Sequence, residues 1–372
     1  MNYRHAFHAG NHADVLKHVV LLAVCDALTA KPAPCFALDT HAGRGLYLLD
    51  GDQAVRTSEA VDGVGKLGGG ADGPAAHAVC SSGYHGRMNY RHAFHAGNHA
   101  DVLKHVVLLA LCDALTAKPA PCFALDTHAG RGLYQLDDDQ ANRTGEAADG
   151  VARLGDAVDM PGPVRHYLDA VGACRQAHGT AAYPGSPWLL AHALRAQDAI
   201  ACCELQAEEA DALRRNFRDE PRVAVHARDG YAAMGALLPP RIGDVRFGRG
   251  LVLVDPPYER QLDEFDDVLA ALGQGLRRWP QATYALWYPI KQRRSLQPFL
   301  RAAAALDAKS ALACELLVRS ADSPLRMNGS GMLLINPPWQ LDLALEPALR
   351  HLQERLGGPG AEHALRWLRA PT

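Results

Sequence analysis

From residue 98 onward, the chain alternates between segments with apolar residues at helical spacing and short runs that are almost entirely apolar. In residues 100–118 the apolar positions recur with a helical period, and Asn98 stands three residues before Asp101 in a capping arrangement, so a helix is predicted there. Short apolar runs bounded by turn residues are typical of buried parallel strands. The alternation of the two predicts a doubly wound α/β sheet.

The predicted first helix carries a polar stripe. Four polar positions fall within about a third of its circumference at 3.6 residues per turn; they are Asn98, Asp101, Lys104 and His105. We expect this stripe to face away from the buried side of the helix.

Five apolar runs follow as strand candidates, and four of them end in an acidic residue. The runs lie at residues 121–126, 199–204, 222–229, 250–255 and 282–288, and the acidic ends are Asp126, Glu204, Asp229 and Asp255. Ligands of open α/β sheets bind beyond the carboxyl ends of the strands. We therefore expect these acids to accept hydrogen bonds from ribose hydroxyls, an adenine amine or a substrate amine.

The spacing of the first two acids indicates an insertion. Asp126 and Glu204 are 78 residues apart, whereas the second strand of a compact nucleotide-binding sheet brings its acid after about 20 residues. Residues from about 133 to 186 contain helical stretches and no clear strand. They predict a small helical insertion subdomain.

Two motifs carry the candidate chemistry. The sequence DTHAGRG at 126–132 resembles the cofactor loop of class I methyltransferases that use S-adenosylmethionine (SAM), where Gly130 and Gly132 would let the backbone approach a ligand closely. A lone GxG is a weak signal, and the full dinucleotide pattern GxGxxG is absent. The sequence DPPY at 255–258 resembles the [DNS]PP[YFW] motif of amino-group methyltransferases.

The chemistry of an exocyclic amine explains the parts of DPPY. The lone pair of adenine N6 is delocalised into the ring, so the amine is a poor nucleophile until acceptors hold its protons. Asp255 and the carbonyl of Pro256 are the candidate acceptors, and Tyr258 offers a face on which an extruded base can stack. The sequence NPPW at 336–339 also fits the pattern. Because it comes late, where we expect the edge of the sheet, DPPY is preferred.

Composition and charge narrow the class of protein. The formal net charge of −3 argues against a uniformly basic nucleic-acid-binding surface but not against a local basic patch. The sequence has neither a membrane-length apolar run nor a signal-peptide core, so a cytoplasmic protein is expected. The nine cysteines lack CxxC spacing, which favours reduced thiols. His92, His95, His99 and His105 do not share one surface, so no metal site is expected.

An internal repeat precedes this body of the chain. Residues 1–47 recur at 88–134 with one change, Val24 against Leu111, and the match then decays. Near-identity followed by decay indicates a recent duplication, with Met88 at the ancestral start. The predicted organisation is a redundant or partly disordered segment at 1–87 and a methyltransferase domain at 88–372.

Taken together, the motifs resemble a known family. YRHAFHAGNHADVLKH, LDTHAGRGLYQL, RTGE, YPGSP, DPPY, YALWYP and GSGMLLINPPW closely resemble the RlmJ family of bacterial 23S ribosomal RNA adenine N6-methyltransferases, over almost all of residues 88–372. The resemblance implies a Rossmann-like class I fold with a small helical insertion. It also implies SAM as cofactor, 23S rRNA as partner and a monomer.

The resemblance also implies site residues. The SAM contacts would be His105, His128, Gly130, Ser186, Glu204, Asp229, Gly230 and Asp255, with Glu204 on the ribose hydroxyls and Asp229 near the adenine. Asp255 would be catalytic. Tyr90 and Lys104 match positions that handle the substrate.

The duplicated segment departs from the family. It repeats candidate positions as Tyr3, Lys17, His18, Asp39 and His41, but it lacks the strands that carry Glu204, Asp229 and Asp255. It therefore cannot form a SAM site by itself. It could instead dock in place of residues 88–134, since the cost of the longer loop grows slowly with its length.

Two other readings stay open on the sequence. The same chemistry could serve DNA adenine, cytosine N4 or a protein glutamine, since the [DN]PP[YFW] motif occurs for all of these acceptors. The second alternative is a protein of a different class. It would be an inactive RNA-binding relative whose site is blocked by the duplicated segment.

Overall fold

The computed structural model describes residues 96–136, 150–155, 159–258, 263–321 and 327–371. All of them belong to one unit of the chain, Tyr90–Thr372. The predictions for residues 1–87, Tyr90, His92 and His95 lie outside the described residues.

The helices and strands alternate along the chain as predicted. The helices are α1 His99–Thr116, α2 Gly162–His178, α3 Ser186–Ala193, α4 Ala207–Asn216, α5 Gly230–Leu237, α6 Asp263–Arg278, α7 Gln297–Ala304 and α8 Leu341–Leu356. The main strands are β1 Phe123–Asp126, β4 Ala199–Glu204, β5 Val223–Ala227, β8 Gly250–Val254, β9 Thr283–Ile290, β10 Ala311–Leu317, β11 Gly329–Ile335 and β12 Glu362–Arg369. Two short ladders are β2 Leu133–Gln135 with β3 Ala182–Pro184, and β6 Arg241–Ile242 with β7 Val245–Arg246.

The main strands form one sheet in the order β12-β10-β11-β9-β8-β1-β4-β5. Neighbours from β9 to β5 are parallel, whereas β11 is antiparallel to β9, and β10 is antiparallel to both β11 and β12. The parallel strands follow the order 3-2-1-4-5 of doubly wound folds, with the chain reversing direction across the sheet between β1 and β8. The α/β Rossmann-like prediction is confirmed, and all five predicted runs form strands.

Helix α1 begins as its sequence predicts, but residues 100–112 are buried on every side of it. The Oδ1 atom of Asn98 accepts hydrogen bonds from the amides of Ala100 (2.9 Å) and Asp101 (3.0 Å), while Asp101 Oδ2 accepts from the amide of Gly97 at 3.1 Å. The polar stripe was expected to face away from the buried side, and that expectation is wrong. Its members are at most 5% exposed, because α1 contacts α2, α3 and α8 as well as β11.

The insertion is not purely helical. It contains α2, but β2 and β3 pair antiparallel at its two ends, with Tyr134 opposite Tyr183. The expectation of no strand was wrong because runs of three residues are too short to show a period. The pairing brings Gly132 and Gly185 together, with the Gly185 amide donating to the Gly132 carbonyl at 2.9 Å. The insertion is thereby attached to the loop that follows β1.

The described residues also bear on the expectations about membrane-spanning helices and reduced cysteines. None of the described helices is long and apolar enough to cross a membrane. Cys122, Cys202 and Cys203 are buried free thiols, as predicted, and burial raises the pKa of Cys122 to about 12.

Candidate active site

The strand-end acids meet where β1 is flanked by β4 and β8. Asp126 ends β1, Glu204 ends β4 and Asp255 follows β8 directly. Because these strands are parallel, their carboxyl ends share one edge of the sheet, called here the carboxyl edge. The first turn and a half of α1 lies against the same edge and brings Lys104 to it.

Lys104 links two carboxylates. Its Nζ atom lies 2.6 Å from Asp255 Oδ2 and 2.8 Å from Asp101 Oδ1, and the three side chains are 4%, 12% and 4% exposed. The ammonium occupies one oxygen of Asp255 and leaves Oδ1 for a ligand. Removing either partner of such a pair leaves a charge that water cannot fully solvate, so the group acts as a unit. Asp101 also caps α1, which ties the cap to the position of Lys104.

Asp126 is fully buried at the end of β1. Burial raises its pKa from 3.8 to about 6, opposed by the Ser186 hydroxyl and the His128 amide, while Asp255 raises it and Lys104 lowers it. The His128 amide donates to Oδ1 at 3.2 Å. The sequence placed Asp126 among the strand-end acids expected to accept hydrogen bonds from a ligand, but it was not among the residues assigned to SAM or to catalysis. The structure brings it beside Ser186 and Asp255.

His128 is held as one neutral tautomer. The Thr127 hydroxyl donates its only proton to the Leu253 carbonyl at 3.0 Å, so the contact of 2.8 Å between Thr127 Oγ1 and His128 Nδ1 requires a proton on Nδ1. Burial lowers the pKa of His128 to about 4, opposed by Asp255 and Asp229. The ring is therefore neutral at pH 7, with Nε2 as an acceptor. It packs edge-on against Tyr231.

Glu204 is bonded to the glycine loop. Its Oε2 accepts from the Gly130 amide at 2.9 Å and its Oε1 from the Gln206 amide at 2.7 Å. Burial raises the pKa of Glu204, and these amides oppose the shift. Gly130 has a φ of +56°, a left-handed conformation that L side chains rarely adopt. The loop geometry and the acid thus hold each other in place at the end of β4.

Asp229 and Gly230 start α5. Asp229 is the N-cap, its Oδ1 accepting from the Ala232 amide at 2.7 Å, and it is exposed at the carboxyl edge. A Cβ on Gly230 would lie 2.0 Å from the carbonyl oxygen of Thr127. Gly230 is therefore required for the close approach of α5 to the loop after β1.

The DPPY turn buries its aromatic ring. Tyr258 has a φ of +45°, which is strained for a bulky residue, and its hydroxyl donates to the Trp287 carbonyl at 2.9 Å. The ring contacts Phe265 and Trp287 and the residue is 7% exposed. A base can stack on Tyr258 only after these neighbours move. The Pro256 carbonyl accepts no backbone hydrogen bond within the described residues.

His105 does not line the open site. The residue is 0% exposed, its Nδ1 lies 3.0 Å from the Tyr183 hydroxyl, and that hydroxyl lies 3.0 Å from the Tyr167 hydroxyl. The tyrosines come from the insertion. In this structure His105 therefore joins α1 to the insertion rather than facing a ligand.

The rival motif NPPW lies at the opposite edge of the sheet. It follows β11, an interior strand rather than the expected edge strand, and β11 is antiparallel to β9. Asn336 Oδ1 accepts from the Lys309 amide at 2.8 Å, and its Nδ2 donates to the Pro280 carbonyl at 3.1 Å. The preference for DPPY stands on strand direction, not on an edge position.

Within the described residues, no three His, Cys, Asp or Glu side chains are grouped as a metal site.

Comparisons with known proteins decide the family. The family model described as "Ribosomal RNA large subunit methyltransferase D, RlmJ" matches residues 119–369. The chain belongs to the RlmJ family. Two relatives named "Ribosomal RNA large subunit methyltransferase J" are each 38% identical: that of Escherichia coli K12 over 74% of this chain and 97% of its own length, and that of Haemophilus influenzae over 72% and 94%.

A solved structure of similar sequence shares the fold of this chain. The crystal structure of protein LPL1258 from Legionella pneumophila is 30% identical, with a TM-score of 0.64, and the match covers 73% of this chain and 98% of that one. The chain is thus a methyltransferase with a Rossmann-like fold.

Sequence reasoning missed several residues around the RlmJ-family motifs. Asp101 was noticed in the polar stripe but given no role, and its spacing of three from Lys104 on a helix was the available signal. Trp287 follows Leu286, the partner of Val254, so it lies at the level of Asp255 on the neighbouring strand. Tyr167 and Tyr183 carried no signal, because their contact with α1 depends on how the insertion folds back.

Proposed function

We propose that this chain transfers the methyl group of SAM to the N6 amine of an adenine in 23S ribosomal RNA. The observation that carries the proposal is the position of Asp255 at the switch point of the sheet, with one oxygen paired to Lys104 and the other left for an amine. The names of the two relatives, which both refer to ribosomal RNA of the large subunit, support the acceptor.

The residues present suit SAM by their chemistry. The carboxyl edge offers Glu204 for ribose hydroxyls, Asp229 near an adenine amine, the close backbone approach at Gly130, which has no side chain, and Ser186 beside Asp126. When bound, SAM supplies an electrophilic methyl group on a cationic sulfur, which leaves as a neutral thioether. Carboxylates that a cation approaches are stabilised in their charged form. His105 enters this set only if the insertion moves.

The protein's part in the reaction is to prepare the amine. Asp255 Oδ1 and the Pro256 carbonyl accept hydrogen bonds from the two amine hydrogens. These bonds favour a pyramidal nitrogen, so its lone pair is no longer delocalised into the ring and can point at the methyl carbon. As the carbon–nitrogen bond forms, one proton leaves nitrogen for Asp255 or solvent. Lys104 keeps Asp255 in a single orientation during this step. Tyr90 and the face of Tyr258 would hold the base.

We further propose that residues 1–87 are an added copy of the amino-terminal segment. The matches to the two relatives span nearly their whole length but only 74% and 72% of this chain, which leaves room for such an addition. The methyltransferase would then need only residues 88–372, acting as a monomer without a metal.

The test is methyl transfer by the full chain to in vitro transcribed 23S rRNA, read by nucleoside mass spectrometry. We expect N6-methyladenosine with the wild type and none with Asp255→Ala, while calorimetry gives nearly unchanged SAM affinity. Asp266→Ala is the matched control, because Asp266 is exposed on α6. Turnover by Asp255→Ala would remove its role, and methylation of DNA, cytosine N4 or glutamine instead of rRNA would change the acceptor.

A further inference from the structure

A second concave site lies at the carboxyl edge, away from the strand-end acids. It is a cavity of about 390 Å³ between the start of α1, the end of α8 and the residues that follow β10. Its walls include His99, Arg153, Val318, Arg319, Ser320 and Leu356. None of the proposed catalytic or SAM-binding residues lines it.

The cavity is a neighbour of the catalytic acid. His99 precedes Lys104 by five residues on α1, which corresponds to about 7.5 Å of helical rise, and Lys104 contacts Asp255. Strand β10 runs in the same direction as β9, since both are antiparallel to β11, so Val318 and Arg319 lie beyond the same edge as Asp255. The cavity therefore lies at the same edge of the sheet as Asp255, but β10 is three positions from β8 in the strand order, roughly 14 Å at the usual spacing of strands.

Two of the side chains at the cavity are cationic. Arg153 and Arg319 contribute guanidinium groups and Ser320 a hydroxyl, and the lining that the structure describes includes no Asp or Glu. Arg319 donates to the Met327 carbonyl at 3.3 Å and has no ion pair with a described carboxylate. A guanidinium binds phosphate through a rigid fork of donors, and a hydroxyl adds a further donor.

Further basic residues lie beyond the same edge of the sheet. Lys291 follows β9 and Arg294 lies three residues farther, and both are exposed. Arg293 pairs with Glu315 and Glu362 at 3.1 Å each. A single exposed arginine is usually only solvated, but here Arg153, which donates to the Leu356 carbonyl at 3.5 Å, and Arg319 line one concavity at the carboxyl edge.

The strand order separates this cavity from the cofactor residues. Glu204 and Asp229 lie at the ends of β4 and beyond β5, on the other side of β1 and β8. A ligand at Arg153 and Arg319 thus belongs to the acceptor rather than to SAM. We propose that the cavity binds a backbone phosphate of the RNA a few nucleotides from the target adenine, a proposal that rests on the function proposed above.

The test compares the salt dependence of RNA binding. Filter binding of in vitro transcribed 23S rRNA to the full chain is measured from 50 to 200 mM KCl for the wild type, Arg319→Ala, Arg153→Ala and Arg319→Lys. Losing one phosphate contact should lower the slope of log K against log salt by about 1, which is about tenfold in affinity near 0.1 M. Arg319→Lys should keep most of the slope, because it keeps the charge.

Controls separate binding from folding and from the proposed function. Arg246→Ala is the matched control, because Arg246 is exposed and precedes β8, at the other edge of the sheet. SAM affinity and thermal unfolding should be unchanged in every variant. Wild-type methylation of rRNA with an unaltered slope in Arg319→Ala and Arg153→Ala overturns the phosphate site and leaves the function intact. Failure of the wild type to bind or methylate rRNA overturns both.

Discussion

The two halves of the carboxyl edge differ in charge. On one side β1 and β4 end in Asp126 and Glu204 and β5 is followed by Asp229, whereas on the side of β9 and β10 the chain continues into Lys291 and Arg319. A net charge of −3 conceals this separation. Carboxylates accept hydrogen bonds from hydroxyls and amines and attract a cationic cofactor, whereas guanidinium groups bind phosphate. The two halves of the carboxyl edge therefore favour ligands of different charge.

Asp255 lies at the border between the acidic and basic halves. It follows β8, next to β9, and its carboxylate is paired with Lys104 from α1. The reacting amine would therefore meet a carboxylate whose position is fixed by a cation from a different layer of the fold. We therefore expect substitutions at Asp255 or Lys104 to lower activity most. Substitutions within the acidic half should mainly weaken SAM binding, and those within the basic half should mainly weaken RNA binding.

The largest effect is expected from Lys104→Ala. The variant leaves Asp101 and Asp255 without their shared cation, which we expect to cost about 3–5 kcal/mol in the free energy of unfolding. The loss of a fixed Asp255 should lower kcat by about 10²–10³-fold. Urea denaturation and single-turnover methyl transfer measure the two effects. Lys118→Ala is the control, because Lys118 is exposed just beyond the same helix. Normal turnover in Lys104→Ala would contradict the border role.

A smaller effect is expected in the acidic half from Asp126→Asn. The folded pKa of about 6 exceeds the ordinary 3.8, so the wild type is favoured below pH 4 and loses that stability as the pH rises through 6. The variant lacks this loss and should gain about 3 kcal/mol relative to the wild type between pH 4 and pH 7. Urea denaturation of the protein without SAM measures it.

Asp126→Asn should also bind SAM more weakly, because a negative charge leaves the cofactor half. Asp159→Asn is the control, since Asp159 is exposed. A pH-independent difference in stability between Asp126→Asn and the wild type would show that burial does not perturb Asp126.

The smallest effect is expected at the opposite edge from Asn336→Ala. Asn336 bonds the Lys309 amide and the Pro280 carbonyl, so its loss should cost about 1–3 kcal/mol in the free energy of unfolding. The kcat should not change, because Asn336 is remote from the carboxyl edge. A kcat effect as large as that of Asp255→Ala would return NPPW to the candidate motifs.

Local patterns predicted the strands and their acids well. Each apolar run is short, bounded and nearly continuous, so four of the strands could be predicted as buried without knowing their neighbours, and Asp126, Glu204 and Asp255 followed from the strand ends. The exception is β5, whose position at the edge of the sheet leaves it only partly buried. Asp229 was predicted to end a strand, but it lies two residues beyond β5 and is the N-cap of α5. The sequence does not separate the two positions, because a carboxylate also suits a helix start, where it accepts hydrogen bonds from free amides.

Properties that depend on distant elements could not be predicted. The polar stripe of α1 is buried because the insertion and α8 cover it, and no local period carries that information. The antiparallel direction of β11 moved NPPW to the other edge, and direction is a property of the whole strand order. The pairing of Lys104 with Asp255 joins positions 151 residues apart.

The most direct measurement is mass spectrometry of adenosines in 23S rRNA from a strain that lacks this gene. The account predicts that one N6-methyladenosine disappears and that it returns when the strain expresses the wild-type chain but not Asp255→Ala. An unchanged adenine methylation pattern in the deletion strain would contradict it, and so would restoration by Asp255→Ala.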